Sequence, residues 1–395
     1  MNESGRPLRV AMIGNGATVH ALVRGAAIAA LGHRVRLVTL GPVLPHSGLE
    51  VRTRPIPRNP IAGVRAFASF MRDLREFEPD ILHVHYAGGR LGSLALASGL
   101  RPLVVTVMGG DVQPEQYMGR ATYFDHRATK RLLAEADVIL ACSESLRKDI
   151  GNYGAWGSKT ETVRWGIETE RFARNPARGA ALRAALAIPR GPVVLSPRIL
   201  QPLYNIHLIV EAMPAVLARN PDATLLVSRY REDPAYAERL RLRAEQLGIA
   251  RSIHFMDRVD NAMMPDLMSM TNVVVSVPFS DGMPVTLFES LASETPIVVG
   301  RLSAYEELVR DGEEVLMADL DAPSIAGAVS RLLEDETLAA RLRAQGLARV
   351  RGAASLPDEA RRVESYYRRA LAAPRGTSAL LPRVLDAVSL GFKRG

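Results

Sequence analysis

Short runs of apolar residues alternate along this chain with longer stretches whose apolar positions recur every three or four residues. In the first half, near-continuous apolar runs at LRVAMI (8–13), RVRLVTL (34–40), ILHVHY (81–86), PLVVTVM (102–108) and DVILAC (137–142) predict strands. Between them, ALVRGAAIAALG (21–32) and VRAFASFMRDLREF (64–77) predict helices. The pattern repeats with strands at 191–197, 223–229, 252–257, 272–278 and 296–300, separated by helical stretches such as AYAERLRLRAEQLG. Strands apolar on both faces, with helices between them, imply parallel sheets covered on both sides, and hence an α/β fold class. Two such domains are expected in series, over 1–175 and 176–360, with C-terminal helices over 361–395 packing back on the first domain. Helical periodicity is read over 322–352 and 356–373, and the stretch 376–395 is expected to be a packed helix or a tail.

Composition narrows the class. The chain has 395 residues, too many for one ordinary hydrophobic core, and its apolar fraction of 47% is that of a soluble globular protein. A formal charge of +8 favours anionic ligands or a membrane surface, yet no zinc-finger, RNP or helix-turn-helix pattern accompanies it, so no nucleic acid partner is expected. The single cysteine, Cys142, excludes an internal disulfide and reads as a buried core thiol. No stretch of 18 apolar residues occurs, and the N-terminus lacks a basic segment followed by an apolar run. A cytoplasmic protein is expected, with peripheral attachment at the inner face of the membrane as an option.

Two places carry candidate chemistry. Gly14-Asn15-Gly16-Ala17 follows the first strand, where a tight turn brings backbone close to a ligand and the next helix offers amides to an anion. It begins like a dinucleotide fingerprint, but Val19 stands at the third glycine position. The second place is Asp281-Gly282 in a strand exit, with Glu289 on the following helix; carboxylates accept hydrogen bonds from the paired hydroxyls of a sugar or ribose. His83 and His85 share one face of a strand, and His85 is nearer its end. No His/Asp spacing supports a metal, and no cofactor is expected to be obligatory.

The segment PFSDGMPVTLFESLASETPIVVG (278–300) resembles the P-S-x-x-E-G-x-x-x-x-x-L-E-A-x-A-x-G-x-P-V-V motif of the retaining GT-B glycosyltransferases, a family that includes sucrose synthase and bacterial cell-envelope mannosyl- and glucosyltransferases. GHRVRLVTL, PDILHVHYAGG, VTVMGGDV, ETVRWGIETERF, SPRIL and EELVRDGEEVLM extend the resemblance, in family order, over nearly the whole chain. It implies two Rossmann-like domains facing across a cleft and a retaining hexosyltransferase that uses a UDP- or GDP-sugar, with a glycan, lipid-linked or small-molecule acceptor. Carried over by position, Asp281 contacts donor-sugar hydroxyls, Glu289 holds the ribose, and Gly282, Met283 and Pro284 bring backbone to the sugar and diphosphate. Arg198 contacts the diphosphate, Gly16 forms the N-terminal glycine turn, and Asp111 and His85 stand on the acceptor side. The departures are specific: Tyr204-Asn205 replaces Lys-Gly, Met108 replaces the histidine of His-Gly-x-Asp, and Ser293-Glu294-Thr295 replaces a glycine turn. They keep open an epimerase or phosphorylase of the same fold, or a sugar-nucleotide-binding protein without turnover.

Overall fold

A computed structural model describes residues 5–46, 48–55, 60–113, 123–257, 261–282 and 284–373. The chain forms two compact units, Met1–Trp165 with Leu356–Gly395, and Gly166–Ser355. Met283 and the segment 376–395 lie outside the described residues.

The first unit runs β1 (Arg9–Ile13), α1 (Val19–Ala30), β2 (Arg34–Thr39), β3 (Glu50–Thr53), α2 (Pro60–Glu76), β4 (Ile81–His85), α3 (Gly89–Ser98), β5 (Leu103–Val107), α4 (Tyr123–Glu135), β6 (Val138–Ala141), α5 (Glu144–Gly151) and β7 (Thr160–Thr162). Its strands form one parallel sheet in the order β3-β2-β1-β4-β5-β6-β7. The second unit runs α6 (Pro176–Ala185), β8 (Val193–Ser196), α7 (Ile206–Arg219), β9 (Thr224–Ser228), α8 (Pro234–Gln246), β10 (Ile253–Met256), α9 (Met264–Met270), β11 (Val273–Ser276), α10 (Val285–Ala292), β12 (Ile297–Gly300), α11 (Ser303–Glu306), β13 (Leu316–Ala318), α12 (Ala322–Glu334) and α13 (Glu336–Ala353). Its sheet, also parallel, has the order β10-β9-β8-β11-β12-β13. Both orders are Rossmann-like, and each reverses direction beside its first strand, between β1 and β4 and between β8 and β11. Ligands of such sheets bind beyond the carboxyl ends of the strands at this reversal.

The chain enters the second unit at Gly166, earlier than the expected boundary at 176. Residues 166–175 are tied there: Ile167 N–H donates to Ala354 O at 2.9 Å, and Asn175 N–H donates to Ser269 Oγ at 3.0 Å. The return is a single helix, α14 (Leu356–Ala372), so a boundary at 360 would cut it. Buried Leu356, Ala360, Val363, Tyr367 and Ala370 form its apolar stripe. Val363, Tyr367 and Ala370 join the first unit's core with Val10, Met12 and Ile28. Arg24 of α1 and Glu359 of α14 form a buried ion pair at 2.9 Å beneath that stripe.

The periodicity read over 322–352 belongs to two helices. Asp335, with φ −103° and ψ 84°, leaves helical geometry, and its side chain caps α13 by accepting from Leu338 N–H.

Candidate donor-sugar site

The reversal point of the second sheet gathers the residues. β8 ends at Ser196 and leads through Pro197 to Arg198, while β11 ends at Ser276 and leads through Pro278 to Asp281. Arg198 Nη1 lies 2.9 Å from Asp281 Oδ2, with side-chain exposures of only 12% and 7%. The Arg198 guanidinium also lies 4.5 Å from the centre of the Tyr204 ring, a cation–π arrangement. Burial opposes the charge on Arg198, but Asp281, with Tyr305 and Tyr204 beside it, more than offsets this and raises its pKa above the ordinary value. Sequence reasoning missed Tyr305: its hydroxyl donates to Asp281 Oδ2 at 3.0 Å.

The Tyr204-Asn205 departure has a local physical account. Asn205 adopts φ 50° and ψ 34°, the left-handed conformation that glycine takes freely and that asparagine tolerates better than most residues. Its Nδ2 donates to Val277 O at 3.1 Å, and Phe279 N–H donates to Leu203 O at 2.8 Å, which ties this turn to the exit of β11. Where the family resemblance expects a lysine, the buried Tyr204 ring backs Arg198 instead. Phe279, two residues before Asp281, is 63% exposed and adds an aromatic face that sequence reasoning did not single out.

Glu289 sits in the second turn of α10 and is partly buried, and its carboxylate takes no hydrogen bond among the described residues. Burial pushes its pKa up to about 7, with Arg171 and Arg198 pulling the other way. Arg171 is a further residue that sequence reasoning passed over; its Nη2 reaches Asn261 O, and its only sequence signal is its place in ETERF. Gly282 and Pro284 are buried in the loop that leads into α10. Met283, assigned to the same loop, lies outside the described residues.

In the first unit the candidates behave differently. Gly16 N–H is committed to Thr39 Oγ1 at 3.0 Å, and Gly16 O accepts from Leu44 N–H at 2.9 Å. A Cβ there would come within 3.1 Å of Thr39 and Val43, so this glycine serves close packing of the turn, and its amide is not available to an anion. Asp111 is buried and accepts from the amides of Ala87 (2.7 Å), Gly109 (2.9 Å) and Met108 (3.0 Å). Its carboxylate organises the loops after β4 and β5; burial raises its pKa and these amides act against the rise.

His85 is buried rather than open at the strand end, because α1 and α14 cover its face of the sheet. Neither of its ring nitrogens has a hydrogen-bond partner among the described residues. It lines a cavity of about 20 Å³ with His83, Arg24, Glu359 and Tyr367, and burial, His83 and Arg24 hold its pKa well below the usual imidazole value.

Comparison with known proteins gives this geometry its class. Residues 180–349 match the family model described as Glycosyl transferases group 1, and residues 14–171 match Glycosyltransferase Family 4. The chain is 28% identical over 327 residues to the D-inositol 3-phosphate glycosyltransferase of Acidothermus cellulolyticus, spanning 77% of this chain and 69% of the relative. It is 27% identical over 370 residues to the phosphatidyl-myo-inositol mannosyltransferase of Mycobacterium tuberculosis, spanning 85% and 88%. In fold it resembles Anabaena Alr3699/HepE in complex with UDP and glucose (TM-score 0.76, 16% identity, 91% of this chain and 98% of that one). It also resembles the sucrose-phosphate synthase of Thermosynechococcus elongatus (TM-score 0.74, 20% identity, 92% and 99%). The two sheets are the two lobes of a GT-B fold. The chain is a nucleotide-sugar glycosyltransferase of that fold, related to group 1 and family 4 enzymes, and it transfers a sugar from a nucleotide-diphosphate donor to an acceptor.

Proposed function

We propose that the donor is held by Arg198, Asp281 and Glu289 and that its sugar is transferred with retention at the anomeric carbon. The observation that carries this reading is the convergence of the three at the reversal point of the second sheet. Arg198, charged and clamped, supplies donors to the departing diphosphate, where negative charge develops as the anomeric C–O bond breaks. Asp281 accepts from a donor-sugar hydroxyl, and Glu289 accepts from the ribose diol. The backbone of the loop at Gly282 and Pro284 approaches the sugar and the diphosphate. The acceptor oxygen attacks from the face the diphosphate leaves, and its proton passes to the departing phosphate oxygen, so no enzyme-bound sugar intermediate is formed. The carboxylates are holders of substrate, unlike the acid and nucleophile of a retaining hydrolase.

The donor base is uracil or guanine, and the acceptor is a polyol, glycan or lipid-linked sugar that carries negative charge. The formal charge of +8 and the inositol-phosphate and phosphatidylinositol acceptors named for the relatives support the anionic character. No helix among the described residues is long and apolar enough to cross a membrane, and attachment at the inner face would be peripheral. Thermal shift against UDP-glucose and GDP-mannose, followed by transfer of radiolabel from the stabilising donor, tests the reading. Transfer that survives Glu289→Ala unchanged would remove the ribose role, and an inverted anomeric product would remove retention.

A further inference from the structure

Asp281 divides its two oxygens unequally. Oδ2 receives both Arg198 Nη1 at 2.9 Å and the Tyr305 hydroxyl at 3.0 Å, whereas Oδ1 takes no hydrogen bond among the described residues. Tyr305 is fully buried in α11, just beyond β12, and its hydroxyl also lies 3.4 Å from Ser276 Oγ at the end of β11. A phenol has one proton to give, and a carboxylate is a stronger acceptor than a serine hydroxyl. The relay therefore runs from Ser276 to Tyr305 to Asp281 Oδ2, where Arg198 closes it. Burial and the neighbouring Asp281 raise the Tyr305 pKa well above its ordinary value, so the phenol keeps that proton.

An arginine facing a carboxylate tends toward a bidentate fork that uses both carboxylate oxygens. Such a fork would take Oδ1 away from the sugar and guanidinium donors away from the diphosphate. The Tyr305 hydroxyl opposes that rotation, because turning the carboxylate would break its bond to Oδ2. We propose that Tyr305 is a positioning residue for the donor sugar: with Arg198 it holds Asp281 Oδ2 and so reserves Oδ1 for a single hydroxyl of the transferred sugar. This rests on the reading that Asp281 contacts the donor sugar.

The experiment is isothermal titration of wild type, Tyr305→Phe and Asp281→Asn with UDP, UDP-glucose, GDP and GDP-mannose. The quantity read is the ratio of the sugar nucleotide's Kd to that of its own nucleoside diphosphate, for the base that wild type binds. In Tyr305→Phe the ratio is expected to move about tenfold against the sugar nucleotide, the size of one hydrogen bond to a charged group, with the diphosphate's own Kd within about twofold of wild type. An unchanged ratio, or equal weakening of both ligands, overturns the proposal. An unchanged ratio in Asp281→Asn overturns instead the reading of Asp281 on which it rests. Should Tyr305→Phe not fold, a wild-type crystal structure with UDP-glucose or GDP-mannose decides: the sugar hydroxyl on Oδ1 with Tyr305 still on Oδ2 is expected, and a sugar hydroxyl on Oδ2 or a detached Tyr305 overturns it.

Discussion

The Nδ1 of His83 lies 2.6 Å from the Tyr367 hydroxyl, although the two residues are 284 positions apart in the chain. The other ring nitrogen lies 2.7 Å from Thr106 Oγ1. Burial pushes the His83 pKa down to about 3, so the ring is neutral, and a neutral imidazole has one donor and one acceptor to satisfy. Tyr367→Phe leaves one of them buried without a partner, which costs about 1–3 kcal/mol. Urea denaturation is expected to show that loss, with nucleotide affinity in the second unit unchanged. A loss below about 0.5 kcal/mol would mean that the His83–Tyr367 contact adds little to the apolar stripe and the Arg24–Glu359 pair in holding α14.

Two residues with positive φ stand where the family resemblance expects glycine, and their replacement should have opposite signs. Glu294 is held at φ 50°, a conformation that costs a residue with a Cβ roughly 1–2 kcal/mol. Glu294→Gly relieves this at the expense of extra freedom in the unfolded chain, for a net gain of about 0.5–1 kcal/mol. Asn205 tolerates the same region and its amide holds Val277 O, so Asn205→Gly is expected to lose about 0.5–1 kcal/mol. Thermal melts of the two variants side by side check both signs.

Continuous apolar runs made β1, β4, β8 and β11 legible in the sequence, and with them the two parallel sheets; the strand orders that set the reversal points come from pairing across the sheets and have no local signal. The edge strands β3 (EVRT) and β7 (TET) were not, because they are short, partly exposed and defined by pairing with a neighbour rather than by their own pattern. Asp281 and Glu289 stood out through the spacing of a recognised motif. Tyr305 did not, because its role comes from the placement of α11 beside β11, which no local pattern records. The burial of His85 was illegible for the same reason: its place near a strand end suggested access, whereas α14, from the far end of the chain, covers it.

Arg198 is expected to resist its conservative replacement. A lysine would keep the charge but lose the planar contact with Tyr204 and the fork that serves Asp281 and a phosphate together. Arg198→Lys should lower kcat/KM on the order of a hundredfold, the effect of losing one preorganised donor at a site of developing charge. Tyr204→Leu keeps the ion pair and removes only the ring, so it should cost about 0.5–2 kcal/mol of diphosphate affinity. Steady-state kinetics and titration with UDP and GDP separate the two. Equal behaviour of Arg198→Lys and wild type would show that a point charge suffices here.

Glu289 gives a pH signature with two opposite signs. Its folded pKa, pushed up to about 7, lies above the ordinary 4.5, so the folded protein holds this proton more tightly than the unfolded chain. That contribution to stability is fully present below about 4.5 and is lost as pH rises through about 7. Glu289→Gln, which cannot ionise, should match wild type in acid and exceed its stability at pH 8, by on the order of 2 kcal/mol. Nucleotide binding should run the other way. The ribose diol is held best by an ionised acceptor, so wild-type affinity for UDP-glucose or GDP-mannose, whose diphosphate does not titrate in this range, is expected to rise between pH 6 and pH 8, while Glu289→Gln binds more weakly and nearly independently of pH. A variant that is stabilised at high pH yet has lost this affinity slope would show that the protein bears a buried carboxylate at a cost to its fold because the ligand needs it. A wild-type slope that persists in Glu289→Gln would assign the titration to another group and leave the ribose without its proposed partner.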